Sequence, residues 1–386
     1  MRVAIITESF PPDVNGVANS VVRVADHLVA RGHLPLVIAP QPSAARAQVP
    51  PPLPYPVVRV RSLPFPGYPG FRLGLPVRRI AEALRAHRTD VVHLASPFVL
   101  GAWGSAAART LGIPSVAVYQ TDIPGYARAY RMSLGEEAAW RWVRRVHACA
   151  ARTLAPSTPT AAELLAHGVS RVWLWRRGVD TELFHPARRD EAVRRALAPD
   201  GEVLVGYVGR LAVEKRVDLL EAVTKLPGVR VVVVGDGPAR SLVRRALPTA
   251  VFLGERHGRQ LATLYASLDI FVHTGPLETF CQTVQEALAS GVPVVAPAVG
   301  GPLDLVEQGR TGYLVPPRNG AALAGAVAEL AADVALRRKY GAAARNAVQG
   351  RTWAAVGDEL IDHYRAAIGS GRLGEVTRLV QRLSVQ

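Results

Sequence analysis

Lysine is almost missing: only positions 215, 225 and 339 carry it, so arginine supplies nearly all of the 46 basic side chains. Against 31 acidic residues they leave a formal charge of +15, which favours anionic partners such as nucleotides or acidic lipid headgroups. The basic residues are spread along the chain with no recognition motif, which argues against nucleic acid. Cysteine is scarce too. Cys149 and Cys281 form no C-x-x-C pair and no disulfide framework, the pattern of a chain kept in a reducing compartment. No apolar run reaches the ~18–20 residues of a membrane span, so any membrane contact is expected to be peripheral. The start, MRVAIITESFPP, reads as a first strand and not as a secretory leader. D-x-D, H-E-x-x-H, G-x-S-x-G and G-x-x-x-x-G-K do not occur, and the ten histidines show no ligand spacing. The expectation is therefore no metal and no bound cofactor.

What is present is a repeated alternation of short β-branched runs and longer helical stretches. VAIIT, VANSVVRVADHLVARG, PLVIAP, DVVHLAS and GAWGSAAARTLG form one set, and the grammar restarts after HPARRDEAVRRALAPDGE with VLVGYVGR, VDLLEAVTKLPG and VRVVVVGDG. This is βαβ patterning and predicts an α/β fold of two doubly wound, Rossmann-like domains with a ligand cleft between them. The boundaries read as residues 1–185 for an N-terminal acceptor domain and 200–350 for a nucleotide-sugar domain, with a C-terminal helix over 351–372 packing back toward the first. QVPPPLPYP, at 48–56, reads as an extended connection.

Several stretches carry candidate chemistry. The first βα turn, TESFPPDVNGVANS, places Gly16 at a helix start near Val17, where free N–H groups let a phosphate or sugar approach; the same pattern also reads as a plain helix start capped by Asn15. In VGYVGRLAVEKRVDLL a strand ends at Gly209, and Arg210 and Lys215 follow at its carboxyl end, two cations for a diphosphate. ETFCQTVQEALASG reads as a helix over Phe280–Ser290 with Gly291 as its cap and Glu278 just ahead. If that helix held throughout, Glu278 and Glu286 would stand about 12 Å apart along its axis. That exceeds the roughly 5–9.5 Å of a glycosidase pair and suits two separate hydroxyl-rich groups. VRVRSLPFPGYPGFRLGLPVRRI interleaves Arg59, Arg61, Arg72, Arg78 and Arg79 with Phe65, Tyr68 and Phe71, a composition matched to an anionic membrane surface.

Taken in order, PPDVNGVANSV, RRGVDTELFHP, VGRLAVEK, GDGP, the E-x7-E element ETFCQTVQE and GVPVVAPAVGGPLDLVEQGRTGYLV resemble the retaining glycosyltransferases of family four, which have the two-domain GT-B fold. VVHLASPFVLGAWG, VAVYQTDIPGYARAY and LAPSTPTAAELLAHG look nearest to the actinobacterial GDP-mannose-dependent α-mannosyltransferases that act on lipid-linked or phosphatidylinositol-type acceptors, and the chain is also similar to the UDP-dependent sulfoquinovosyl diacylglycerol synthases. The resemblance implies that Arg210 and Lys215 hold the donor diphosphate, Glu278 the transferred sugar and Glu286 the ribose. It further implies donor contacts from the backbone of Phe280 and Cys281, from Gly16 and Gly209, and from Asp236 in GDGP. Where many members carry a donor-contacting histidine this chain has Gln120, which can position a hydroxyl but cannot titrate. Where the family has glycine after the first glutamate it has Thr279, a position expected to bear on sugar selectivity. The implied activity is α-mannosyl transfer from GDP-mannose to a lipid or lipoglycan at the cytoplasmic face of the plasma membrane. A UDP-sugar donor, or a non-hydrolysing UDP-sugar epimerase of the same architecture, stays open, because no residue here reads guanine against uracil.

Overall fold

The computed structural model describes residues 1–13, 15–42, 52–65, 68–74, 78–95, 98–125 and 133–383, leaving aside the side chains at 64–65, 68–73, 133–134 and 371–383. The chain divides into two compact units, residues 1–176 with 353–386, and residues 177–352.

In the first unit β1 (Arg2–Ile6), β2 (Leu34–Pro40), β3 (Val57–Val60), β6 (Val91–Leu94), β7 (Ser115–Val118), β8 (Arg152–Ala155) and β9 (Val172–Leu174) form a parallel sheet. Its order is β3-β2-β1-β6-β7-β8-β9. The period-two pattern of the strands decides which side each residue covers. Val3 and Ile5 join one core cluster, Ala4 and Ile6 another, and both faces are buried, as a parallel sheet requires. A separate antiparallel pair, β4 (Ser62–Phe65) and β5 (Tyr68–Gly74), occupies the arginine- and aromatic-rich stretch.

The helix Trp353–Leu383 closes this unit and outruns the expected 351–372. Val356, Leu360, Ile361 and Tyr364 enter the same cluster as Val3 and Ile5. Trp175 donates from Nε1 to the Val356 carbonyl at 2.9 Å, His93 Nδ1 lies 2.6 Å from the Tyr364 hydroxyl, and Asp358 accepts from Arg31 Nε at 2.7 Å.

The second unit contains β10 (Val203–Val208), β11 (Val229–Val234), β12 (Val251–Gly254), β13 (Ile270–Val272), β14 (Val294–Pro297) and β15 (Gly312–Val315), all parallel in the order β12-β11-β10-β13-β14-β15. Strand order reverses between β10 and β13 here, and between β1 and β6 in the first unit; carboxyl ends at such reversals are where open α/β sheets take ligands. The division falls at 176/177, ahead of the expected connection at 185–200. Hydrogen bonding explains the shift. Val179 bridges Thr352, Gln282 Nε2 donates to the Gly178 carbonyl at 3.1 Å, and Gln285 Nε2 donates to the Arg177 carbonyl at 2.9 Å, so RRGVD is already tied into the second unit.

Candidate active site

At the second unit's reversal point β10 ends and Gly209 to Lys215 leave its carboxyl end. Arg210 pairs with the buried carboxylate of Glu214. Lys215 closes the short 3-10 turn Val213–Lys215, and its carbonyl accepts the Thr274 hydroxyl at 2.7 Å, just past β13. A Cβ on Gly275 would stand 3.2 Å from both Lys215 Cδ and His273 Nε2, so glycine leaves room for the lysine to cross. Lys215 Nζ donates to Glu278 Oε1 at 2.5 Å, and the same oxygen lies 3.3 Å from His273 Nε2.

The turn that carries Glu278 is held from behind by a glycine pair. Gly301 donates its backbone N–H to the Glu278 carbonyl at 2.8 Å, and a Cβ on Gly301 would overlap the Phe280 carbonyl. A Cβ on Gly300, at φ 64°, would stand 2.5 Å from the Glu278 carbonyl. The helix expected from Phe280 runs instead from Gln282 to Ala289. Cys281 sits at φ 76°, ψ 71°, a left-handed setting that costs a residue with a Cβ roughly 1–2 kcal/mol and that stops the helix from extending backward. Glu278 and Glu286 are therefore not the ends of one continuous helix, and the axial spacing expected of them does not apply. Gly291 caps as expected, at φ 72°. The helix start at Cys281 has no side-chain cap, and although the Val284 N–H turns back to the Cys281 carbonyl, the positive end of the dipole would face an anion there.

Burial and charge set these groups apart. Burial by itself would raise Glu278, but the Lys215 charge and the His273 imidazole bring it down to about 2. Burial would lower His273, yet Cys281 and Glu278 hold it up at about 10. Glu286 goes the other way: burial pushes it up to about 8, against the pull of the Tyr265 hydroxyl and the Arg177 charge. One carboxyl is thus ionised at neutral pH and the other protonated, able to donate as well as accept. Burial lowers Arg177 to about 10, opposed by Glu278 and Glu286, so it stays charged beside both. Asp236 is engaged locally, accepting from the Gly237 N–H and from Arg240 Nη1, each at 2.7 Å.

In the first unit Gly16 opens the helix Gly16–Ala30, and Asn15 Oδ1 accepts from the N–H groups of Val17 and Ala18 at 3.0 Å, which satisfies part of that helix start. Gln120 lies two residues past β7 and donates Nε2 to the Ala95 carbonyl at 2.8 Å, at the end of neighbouring β6. Glu8, past β1, is buried and accepts from the Leu100 N–H; burial raises it to about 7 against backbone N–H groups at Leu100, Gly74 and Gly101.

Of the proposed membrane residues, Arg61, Arg78 and Arg79 are exposed. Arg59 departs from that role. Its guanidinium donates to the Pro40 carbonyl at 3.0 Å and the Pro11 carbonyl at 2.5 Å and lies over the Phe10 ring. Phe65, Tyr68, Phe71 and Arg72 fall on the β4–β5 pair, where side chains lie outside those described, and part of the proline-rich stretch, 48–51, lies outside the described residues.

Four groups at the second unit's site escaped the sequence reading. Arg177 stands in RRGVDTELFHP, which signals only by its run of charge; Glu214 reads as a solvated neighbour of Lys215. His273 and Tyr265 close apolar runs and read as core. Of these only His273 carries a positional signal, a polar residue directly after a buried strand.

Comparison with known proteins fits this geometry. The profile described as Glycosyltransferase Family 4 matches residues 14–183, and that described as Glycosyl transferases group 1 matches residues 188–347. A GDP-mannose-dependent alpha-mannosyltransferase of Mycobacterium tuberculosis is 51% identical over 96% of this chain and 97% of its own. The protein of that description from Corynebacterium glutamicum is 43% identical over 95% and 89%. A sulfoquinovosyl transferase of Arabidopsis thaliana is 34% identical over 85% and 68%. Among solved structures, sucrose-phosphate synthase from Thermosynechococcus elongatus superposes with TM-score 0.79 at 22% identity, covering 96% of this chain and 99% of its own. Anabaena HepE in complex with UDP and glucose gives 0.75 at 20%, covering 94% and 99%. Identities this low speak for a common fold.

Proposed function

The chain belongs to glycosyltransferase family 4, with two parallel-sheet units of GT-B type, and from there we propose that it moves an α-mannosyl residue from GDP-mannose, with retention, to a lipid or lipoglycan acceptor. The observation that carries the donor half is the charge cluster at the β10/β13 reversal, in a chain about half identical to GDP-mannose-dependent relatives over nearly its whole length. Arg210 and Lys215 neutralise the donor diphosphate, helped by the uncapped start of the helix Gln282–Ala289. Glu278, kept ionised, accepts from hydroxyls of the transferred sugar, and Glu286, protonated, meets the ribose diol. The leaving phosphate oxygen takes the proton of the acceptor hydroxyl while the bond from the sugar's anomeric carbon to that phosphate breaks and the bond to the acceptor forms on the same face.

Positive charge for the leaving group comes from side chains, so the transfer is read as metal-independent.

The acceptor is assigned to the first unit, with Arg61, Arg78, Arg79 and the β4–β5 pair facing an anionic membrane at its cytoplasmic side. Among the described residues no helix is long and apolar enough to cross a membrane. Two experiments test this reading. Incubation with GDP-mannose or UDP-sugars and a lipid extract should give an α-mannosylated lipid from GDP-mannose; product from a UDP-sugar would move the assignment toward the sulfoquinovosyl branch, and donor conversion without acceptor would point to an epimerase. Anionic vesicles should sediment the protein and neutral ones should not, while equal recovery would remove the membrane surface.

A further inference from the structure

His273, Glu278 and Cys281 arrive at one point from three unlike backbone settings: the residue after β13, a glycine-backed turn, and a left-handed helix start. An imidazole nitrogen, a carboxylate oxygen and the thiol sulfur all lie within 4.8 Å of one another. His273 is 2% exposed and Cys281 4%. Neither ring nitrogen of His273 makes an aligned hydrogen bond among the described residues, although Nε2 and Glu278 Oε1 are 3.3 Å apart. The two also form an ion pair, so a metal would have to replace that pairing, but the three donor atoms face one shared space as ligands around a common atom do.

We propose that these three side chains form an inhibitory site for a thiophilic divalent cation, Zn2+ fitting best, whose binding competes with the nucleotide sugar. The competition rests on the donor assignment above; the site itself does not. Nitrogen, sulfur and carboxylate oxygen are the donor set of Zn2+, whose bonds of roughly 2.0–2.3 Å draw such ligands to within about 3.5 Å of each other, a small closing movement from the present arrangement. Mg2+ and Ca2+ are excluded by the sulfur and nitrogen. The imidazole binds as the neutral ring and the thiol as thiolate, so their protons leave to solvent as the metal enters. Lys215 is the resident competitor: its ammonium holds Glu278 Oε1 at 2.5 Å and must yield that oxygen or leave the metal the other. Occupation would take Glu278 from the sugar and break the ion pair that positions Lys215.

Co2+ is the probe, added to the purified full chain freed of metal by chelator. The expected result is a thiolate-to-cobalt charge-transfer band that Zn2+ bleaches and GDP-mannose displaces. Cys281→Ser should abolish the band and weaken Zn2+ by at least about a hundredfold, since even outer-shell partners of a ligand are worth roughly ten- to a hundredfold. Cys281→Gly, which takes the left-handed backbone without strain, guards against a folding defect and should lose the band equally. Cys149→Ser should keep the band, and Lys215→Met should tighten Zn2+. Absence of the band from the unaltered chain, its survival in both Cys281 variants, or its loss in Cys149→Ser overturns the site. A band that GDP-mannose leaves intact overturns the competition; stabilisation by GDP in metal-free buffer, measured separately, tells whether the donor assignment failed with it.

Discussion

The two units share a topology and differ in what they place at its reversal point. The second gathers full charges there: Arg210 with Glu214, Lys215 with Glu278, and Arg177 near both Glu278 and Glu286. The first places mainly hydrogen-bonding groups there, Gln120 on the Ala95 carbonyl, Asn15 over a helix start and Glu8 buried among backbone N–H groups, with the Arg59 guanidinium spent on the Pro11 and Pro40 carbonyls. On the proposed reading one architecture serves two tasks. A diphosphate needs charge fixed in advance, where low dielectric makes each cation count. An uncharged hydroxyl needs only hydrogen bonds, so the first unit is expected to tolerate polar change better than the second.

The largest effect should come from Lys215→Ala. Removing one preorganised partner of a developing anion typically costs about 10²–10³ in kcat. Arg210→Ala should follow closely, and near-normal turnover in either would remove the diphosphate role. Next comes Gly301→Ala. Its methyl would enter the Phe280 carbonyl and shift the Glu278 turn, so the KM for donor should rise about tenfold and stability fall by roughly 1–3 kcal/mol, read by denaturant titration. Unchanged values would mean that the glycine pair does not set the turn.

Glu286 gives a pH signature. Its folded value is raised from 4.5 to about 8, so the stability tied to its protonated form is complete below 4.5 and is lost as pH climbs through about 8. Glu286→Gln should therefore gain on the unaltered chain between pH 5 and pH 9, by at least the roughly 2 °C that 1 kcal/mol gives a domain of this size. A gap that stays constant across that range would contradict the buried, protonated carboxyl. Smallest is Gln120→Ala in the first unit. It removes the neutral hydrogen bond to the Ala95 carbonyl, worth about 1 kcal/mol, and should lower kcat/KM by about tenfold or less.

How far the sequence alone could be read follows from the range of its signals. Strand and helix alternation is local, and it located both sheets and the loop that carries Arg210 and Lys215. Cys281 shows where local signals stop. Phe280, Cys281, Val284, Ala287 and Leu288 are apolar at helical spacing, so the helix was expected to start early, whereas the left-handed turn is tied to Gly300 and Gly301 some twenty residues on. Arg177 is the extreme case, since its carboxylate neighbours lie about a hundred residues away and only folding brings them together. The contact division at 176/177 lies ahead of the sequence boundary for the same reason: the amides of Gln282 and Gln285 that fasten this stretch come from a distant helix.

We propose the charged reversal point of the second unit as the nucleotide-sugar site. The most direct measurement is the thermal stabilisation produced by GDP, with UDP as comparison, in the unaltered chain and in Lys215→Ala. GDP at a hundredfold its Kd should stabilise the unaltered chain by about 2.7 kcal/mol, UDP far less, and the variant should lose most of the GDP effect. Equal stabilisation of chain and variant by GDP would place the nucleotide elsewhere and contradict the account.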